Sequence, residues 1–320
     1  MTFNRWRNDE FVDVAVVGGS AAGLSGALTL ARARRRVVVI DAGSPRNQAS
    51  PHLHGLLGHD GVAPERLLAV GRAEVVAYGG RLVSAVVTGA EQTGGDFVLT
   101  LDDGQRVGSR RLLVATGLRE ELPDLEGLRE QWGRGVVNCP YCHGWEVRDG
   151  RIGVLATGPA SPRQALLLRQ WSATVIYLTS GGPEPGEEQR SGLVVRGIVL
   201  DSRPIGRVVS DSDGRLAGVA FADGQERPLD ALFLAPPLTA NDQLLRVLGA
   251  RREPDPVGGR WVSVDATGLT SVPGLWAAGN VSNPQANLAV AIAAGAWAGA
   301  AINADLVEEE TRRALAATSY

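Results

Sequence analysis

The chain has 320 residues, 44% hydrophobic and 21% charged, which suits about two globular domains with cores to bury. A formal net charge of −3 leaves no concentrated basic face, which argues against nucleic acid as a main partner. All 32 basic residues are arginine, which excludes Schiff-base and P-loop lysine chemistry, and two cysteines three positions apart cannot build a secreted disulfide framework.

Met1 to Glu10 is polar and of mixed charge, so no signal peptide is expected and the chain is read as cytoplasmic. Val14 to Val17 is a short apolar run stopping at Gly18-Gly19-Ser20. Leu24 to Ala33 reads as a helix, and Val37 to Ile40 is a second apolar run ending in Asp41. Strand, turn, helix and strand within about 30 residues is the βαβ unit of a parallel sheet. Thr88 to Val107 alternates between glycine turns as a β-meander, and Leu112 to Val114 leads into Ala115-Thr116-Gly117. A second βαβ unit runs through Ile152 to Leu155, a helix from about Arg163 to Trp171, and Thr174 to Leu178. After a Pro/Gly loop at Gly181 to Gly186 come a meander around Val208 to Phe221 and a strand at Ala231 to Leu234. Leu288 to Ile302 is apolar, mostly Ala and Gly, and shorter than the roughly 20 residues of a membrane span. It is read as a buried helix, with no membrane partner. The fold class is α/β, with two Rossmann-like three-layer domains.

Gly18-Gly19-Ser20-Ala21-Ala22-Gly23 departs from the strict G-x-G-x-x-G by Ser20. Its context supports the match, because a strand precedes, a helix follows, and Asp41 closes the next strand. Gly18 permits a tight turn, Gly23 lets helix and strand approach, the helix N-terminus faces a pyrophosphate, and Asp41 accepts from a ribose. NAD and FAD both use this turn. The choice of FAD comes from Gly279-Asn280 and the helix after it, where amides from about Gln285 through Ala286 and Asn287 to Leu288 would face the flavin pyrimidine edge.

Taken in order, Gly18 to Gly23, Asp41-Ala42-Gly43, Ala115 to Gly117, Cys139 to Cys142 and Gly274 to Val281 resemble the thioredoxin reductase-like flavoproteins over nearly the whole chain. That resemblance implies an FAD domain formed by residues 1–118 and 238–320, interrupted by a domain at 119–237 that carries the redox cysteines. Within that superfamily, Cys-Pro-Tyr-Cys-His-Gly and Asp41 to Asn47, including Arg46, look most like the branch of dithiol oxidases that close holomycin- and gliotoxin-type disulfides. The resemblance implies a small-molecule dithiol as substrate, molecular oxygen as electron sink, and a homodimer. A reductase fed by ferredoxin or NADPH, and a flavin-containing redox sensor, are the alternatives.

Cys139-Pro140-Tyr141-Cys142-His143 has the spacing that lets two sulfurs interconvert between disulfide and dithiol. Family geometry implies that Cys142 faces the flavin while Cys139 exchanges with substrate. His143 can take a thiol proton as general base. C-x-x-C-H also matches c-type haem attachment, but Met1 is the single methionine and no export signal is expected. Zinc would need further ligands from His52, His54 and His59, which lie in a glycine-rich loop, so no metal is expected. Trp132 and Trp145 flank the motif and are read as core residues. An ordinary reductase would carry a glycine turn after Leu155. Here Ala156-Thr157-Gly158-Pro159-Ala160-Ser161-Pro162 puts Thr157 and Pro159 where glycines are needed, and each proline removes an N–H. The strand that follows ends without an arginine cluster for a 2′-phosphate. Slow or absent reduction by NADPH is expected.

Overall fold

The protein is described by a computed structural model covering residues 10–255 and 258–318, so the signal-peptide reading of the N-terminus falls almost wholly outside the described residues. The chain folds as two compact units. The first takes the chain as far as Arg46, Glu65–Arg119, and the chain from Thr239 onward; the second takes Asn47–Pro64 and Glu120–Leu238.

In the first unit, β1 (Glu10–Val17), α1 (Ala21–Arg32) and β2 (Val37–Asp41) form the expected βαβ. Two elements that sequence patterning passed over, α2 (Pro64–Ala77) and β3 (Arg81–Ser84), extend it before the meander of β4 (Val87–Thr93), β5 (Asp96–Leu101) and β6 (Arg106–Val114). The sheet order is β3-β2-β1-β6-β5-β4, parallel from β3 to β6 and antiparallel beyond. Pleating sends alternate residues of β1 to opposite faces. Val14 and Val16 enter a core with Leu24, Leu30 and Ile302, while Ala15 and Val17 enter another with Phe97, Leu99 and Leu245. Both faces are therefore covered, which is why the parallel strands are continuously apolar.

The chain leaves the first unit through β7 (Leu118–Glu120). It then forms α3 (Leu128–Gln131), β8 (Val136–Val137) and α4 (Pro140–His143). The second βαβ follows as β9 (Arg151–Leu155), α5 (Ser161–Leu168) and β10 (Thr174–Leu178), continued by α6 (Glu187–Val195) and β11 (Val199–Asp201). A three-stranded meander, β12 (Ile205–Ser210), β13 (Leu216–Phe221) and β14 (Glu226–Pro228), precedes β15 (Ala231–Leu234). The parallel sheet runs β11-β10-β9-β15-β8. Here too Val175 and Tyr177 pack toward α5 and α6, and Ile176 and Leu178 toward the meander. Both units are helix–sheet–meander sandwiches.

Back in the first unit come β16 (Leu238–Ala240), α7 (Gln243–Val247), the hairpin β17 (Arg252–Pro254) and β18 (Arg260–Val262), β19 (Leu275–Ala277) and α8 (Leu288–Thr318). β19 joins the first sheet beside β6. At 31 residues α8 outruns the apolar stretch read from sequence, and by length and composition it is long enough to cross a membrane. Its extension is held by charge: Glu310 pairs with Arg35 at 2.6 Å, Glu309 with Arg110 at 3.1 Å, and Asp305 with Arg111. Its small residues let it lie almost on α1. A Cβ on Gly295 would strike the Ala22 carbonyl oxygen, and one on Gly299 would come 2.6 Å from that of Gly26.

Candidate active site

The first glycine turn is a backbone crossing with no room for side chains. Gly18 has φ +106°, and a Cβ there would strike the Ala115 carbonyl oxygen. A Cβ on Gly23 would strike the Gly18 carbonyl oxygen, and one on Gly19 would lie 2.7 Å from the Asp41 Cβ. Asp41 receives the Gly19 N–H at 3.0 Å, and its other oxygen lies 3.4 Å from Arg72. Ser20 caps α1 without any side-chain hydrogen bond, so the first-turn amides of Ala21, Ala22 and Gly23 keep the partial positive charge of a helix start. Gly279, φ +77°, would carry its Cβ 2.9 Å from that of Ala22. Around this turn Thr116 donates to the Asn241 carbonyl at 2.7 Å, Asn241 returns a bond to the Thr116 carbonyl at 3.0 Å, and its own N–H reaches the Gly117 oxygen. Arg46 donates to Asn280 at 3.0 Å. Ala42 and Gly43 follow Asp41 directly, Gly43 with φ +76°.

One expectation needs correction. The amides from Gln285 onward are not helical: Gln285 N–H is bonded to Asn283, and α8 begins at Leu288 with Asn287 receiving the Val290 N–H at 3.0 Å. The Ala286 carbonyl is taken by Asn280 at 2.9 Å. Asn47 opens the loop that packs with the second unit. A Cβ on Gly133 would lie 2.7 Å from that of Ala49, and His54 lies 3.5 Å from Glu146.

In the second unit Cys139 and Cys142 form a disulfide, with Cα atoms 5.2 Å apart. The local sequence explains the geometry: Cys139 is the N-cap of α4 and Pro140 supplies a pre-set first helical residue. Two neighbours hold this short helix. Gly144 has no space for a side chain against Trp171, 2.8 Å from where its Cβ would stand, and Tyr141 meets the Trp171 ring edge-on at 5.6 Å. Gln164, buried on α5, donates to the carbonyl of Asn138 at 2.6 Å, fixing the backbone one residue before Cys139. Nothing in the sequence marks Gln164, since a glutamine on an amphipathic helix carries no motif. Burial pushes the His143 pKa down; the Cys139 carbonyl and the Glu146 charge act the other way. The ring is therefore neutral, and a competent base, at neutral pH.

The flanking tryptophans divide. Trp132 packs against the meander core, but Trp145 is 65% exposed with the Arg148 guanidinium 4.2 Å over its ring, so it is not the core residue expected. His52 meets the Gly61 carbonyl at 3.1 Å and His54 meets Asp60 at 3.3 Å. Among the described residues no group of three or more His, Cys, Asp or Glu is placed to hold a metal ion.

The second βαβ turn is closed on itself. Ser161, fully buried, receives the N–H of Thr157 at 3.1 Å and of Gly158 at 3.3 Å on one hydroxyl. Thr157 in turn accepts the Ala235 N–H at 3.2 Å. The residue after β10 is Thr179, buried, where Asp41 closes β2.

One dinucleotide turn and one C-x-x-C disulfide, each on its own Rossmann-like unit, define a flavin-dependent disulfide oxidoreductase. A model of the pyridine nucleotide-disulphide oxidoreductase family matches residues 12–296, and the chain belongs to that family. It is 33% identical to the thioredoxin reductase tcpT of Claviceps purpurea over 312 residues, covering 93% of this chain and 95% of that one. Thioredoxin reductase sirT of Leptosphaeria maculans is 27% identical across 91% of this chain and 93% of its own. The crystal structure of HlmI superposes with a TM-score of 0.93 at 42% identity, covering 99% of both chains. The cofactor is FAD. The residues present fit it: glycine at 18, 19 and 23 lets the turn close against Ala115, Asp41 and itself where any Cβ would clash, beside a helix start with no side-chain cap. The protein is a thioredoxin reductase-like oxidoreductase acting on disulfides.

Proposed function

We propose that this enzyme is a dithiol oxidase: it closes a disulfide in a small-molecule dithiol through Cys139 and Cys142, with oxygen as electron acceptor and hydrogen peroxide as product. The observation that carries the reading is the self-closed second turn, where Ser161 occupies the amides of Thr157 and Gly158 that a nicotinamide dinucleotide's phosphates would need. Electrons then enter through sulfur.

Substrate thiolate attacks Cys139, the bond to Cys142 breaks, and Cys142 leaves as thiolate. The second substrate thiolate displaces Cys139, closing the product disulfide and leaving both protein sulfurs reduced by two electrons. Cys139 is the N-cap of α4; Pro140 has no N–H and the Cys142 and His143 amides bond the Cys139 carbonyl, which leaves the Tyr141 amide to favour a thiolate there. His143 takes and returns the thiol proton. Bound FAD supplies the two-electron acceptor for the sulfur pair and the donor to oxygen, so a dithiol and O2 become a disulfide and H2O2. The FAD contacts proposed are Gly18, Gly19, Ser20, Ala21, Gly23, Asp41, Ala42, Gly43, Arg46, Asn47, Ala115, Thr116, Gly117, Gly279, Asn280, Gln285, Ala286 and Asn287. The same reading makes the enzyme a cytoplasmic homodimer.

The test is anaerobic mixing with NADPH and, separately, with a dithiol, followed by air and a peroxide assay. Dithiol is expected to bleach the flavin and NADPH is not; rapid bleaching by stoichiometric NADPH overturns the reading. Relatives named thioredoxin reductases favour a second reading, a disulfide reductase fed by ferredoxin or NADPH. It predicts reduction of a protein disulfide without peroxide.

A further inference from the structure

His143 leans on a serine from a loop far away in sequence. Ser50 Oγ lies 2.9 Å from the His52 carbonyl oxygen and 3.3 Å from His143 Nε2. A hydroxyl has one hydrogen, and the carbonyl can only accept it, so Ser50 turns a lone pair toward the ring. Nε2 must then carry the ring hydrogen, which leaves Nδ1 as the basic nitrogen. Nδ1 is buried and has no hydrogen-bond partner. A buried polar atom left in that state asks for a reason, and a proton-accepting role supplies one.

We propose that Ser50 is a positioning residue that fixes the Nε2–H tautomer of His143, so that Nδ1 is the atom that takes the proton from the incoming thiol. This rests on the thiol-exchange chemistry proposed above. The loop is built to hold that hydroxyl in place. Its two strands of backbone are tied by Leu53 N–H to the Val62 oxygen and Gly61 N–H to the Leu53 oxygen, each at 2.9 Å. His52, whose carbonyl takes the Ser50 hydrogen, is itself anchored through its ring to the Gly61 carbonyl at 3.1 Å. Asp60 closes the far end by receiving the Gly55 N–H at 2.9 Å. Ala49, next to Ser50, sits against Gly133, where any Cβ would lie 2.7 Å from its own.

The charged and titratable groups facing the ring are Glu146, which favours its protonated form, and His54, which opposes it; His54 is itself 3.5 Å from Glu146. The Cys139 carbonyl also favours the protonated ring. The step balances as follows: thiol proton to Nδ1, thiolate sulfur to Cys139, the Cys139–Cys142 electron pair to Cys142. The imidazolium then returns the proton to the Cys142 thiolate or to water.

The test uses the full-length, flavin-loaded protein with Ser50→Ala and Ser50→Thr. Nitrogen-15 spectra of histidine-labelled oxidised protein are expected to show His143, assigned by loss of its signals in His143→Gln, with Nδ1 unprotonated. Ser50→Ala should mix the tautomers, and Ser50→Thr should restore them. Anaerobic quenched exchange with dithiothreitol should run about tenfold slower in Ser50→Ala at pH 7, the order expected for one lost hydrogen bond, and recover in Ser50→Thr. An Nδ1–H tautomer in the unaltered protein overturns the proposal, as does a Ser50→Ala rate equal to wild type. A slowed rate with the tautomer unchanged also overturns it, since that marks a structural role. Failure of the dithiol oxidase reading looks different: oxidised wild type that does not exchange with dithiothreitol, while the nitrogen spectra still decide the tautomer.

Discussion

The two βαβ turns of this chain share a frame and differ in what their amides face. In the first, Gly18, Gly19 and Gly23 strip the crossing of side chains and Ser20 makes no cap, so the amides that open α1 point at a ligand's place. In the second, Ser161 turns its hydroxyl back and takes two amides itself. The same architecture therefore serves opposite ends. One turn keeps its amides open, as a binding site must, and in the other two amides are satisfied internally. The second unit also carries the α4 disulfide, pinned from behind by Gln164 and Trp171.

If sulfur is the second unit's electron port, Cys142→Ser carries the largest effect. Turnover with any dithiol should fall by at least about two orders of magnitude, because no acceptor disulfide can form, while bound flavin stays at wild-type content. Steady-state oxygen consumption and the flavin absorbance of the same sample check both halves. Wild-type turnover in that variant breaks the assignment.

Next in size is the contrast between Gly18→Ala and Gly158→Ala. At Gly18 the left-handed backbone costs ~1–2 kcal/mol for any other residue, and the added methyl forces the strand of Ala115 aside. The purified variant should be colourless or fail to fold. A Cβ at Gly158 meets nothing closer than the Ala235 oxygen at 3.9 Å, so that variant should stay yellow and within about 0.5 kcal/mol of wild type. Equal behaviour of the two, read by flavin content and thermal unfolding, would erase the difference between the turns.

Ser161→Ala sharpens it further. Two amides lose their buried acceptor, which should cost about 1–3 kcal/mol in urea unfolding. Freed amides should still not recruit NADPH, because Pro159 and Pro162 lack N–H groups. A variant whose flavin is bleached by NADPH would show that Ser161 alone blocks the nucleotide.

Why this contrast was half visible in the sequence is a matter of which interactions leave a periodic trace. Both βαβ units, both meanders and the C-x-x-C could be read because apolar alternation, glycine at forced φ and cysteine spacing are local. The extension of α8 past Ile302 was hidden, since ion pairs from Arg35, Arg110 and Arg111 and the buried Leu306, rather than a continued apolar stripe, hold it there. Likewise the departure of Thr157 and the prolines from a glycine turn is local and legible, but the Ser161 closure depends on a rotamer. Asn241 at Thr116, Ser50 at His143 and the grouping of Asn47–Pro64 with the second unit are long-range contacts with no sequence period at all.

The smallest effect concerns the acid that the second sheet does keep. Where Asp41 in the first unit bonds the glycine turn, Asp201 at the end of β11 turns to arginines, 2.6 Å from Arg203 and 3.2 Å from Arg227. The Arg203 hydrogen bond holds its carboxyl below the usual range; burial opposes this, and the Arg203 backbone N–H and the charges of both arginines add to it. In the unfolded chain Asp201 titrates near its ordinary value of about 3.9. A depressed folded value stabilises the fold above that pH, and the contribution drains away as pH falls through the lower folded value. Asp201→Asn should thus cost on the order of 1 kcal/mol at pH 7, the arginines being partly exposed and screened, with the gap to wild type closing below about pH 4. Urea unfolding from pH 7 to 3 measures this, and a gap that persists unchanged into acid would mean that Asp201 holds β11 by hydrogen-bond geometry rather than by charge.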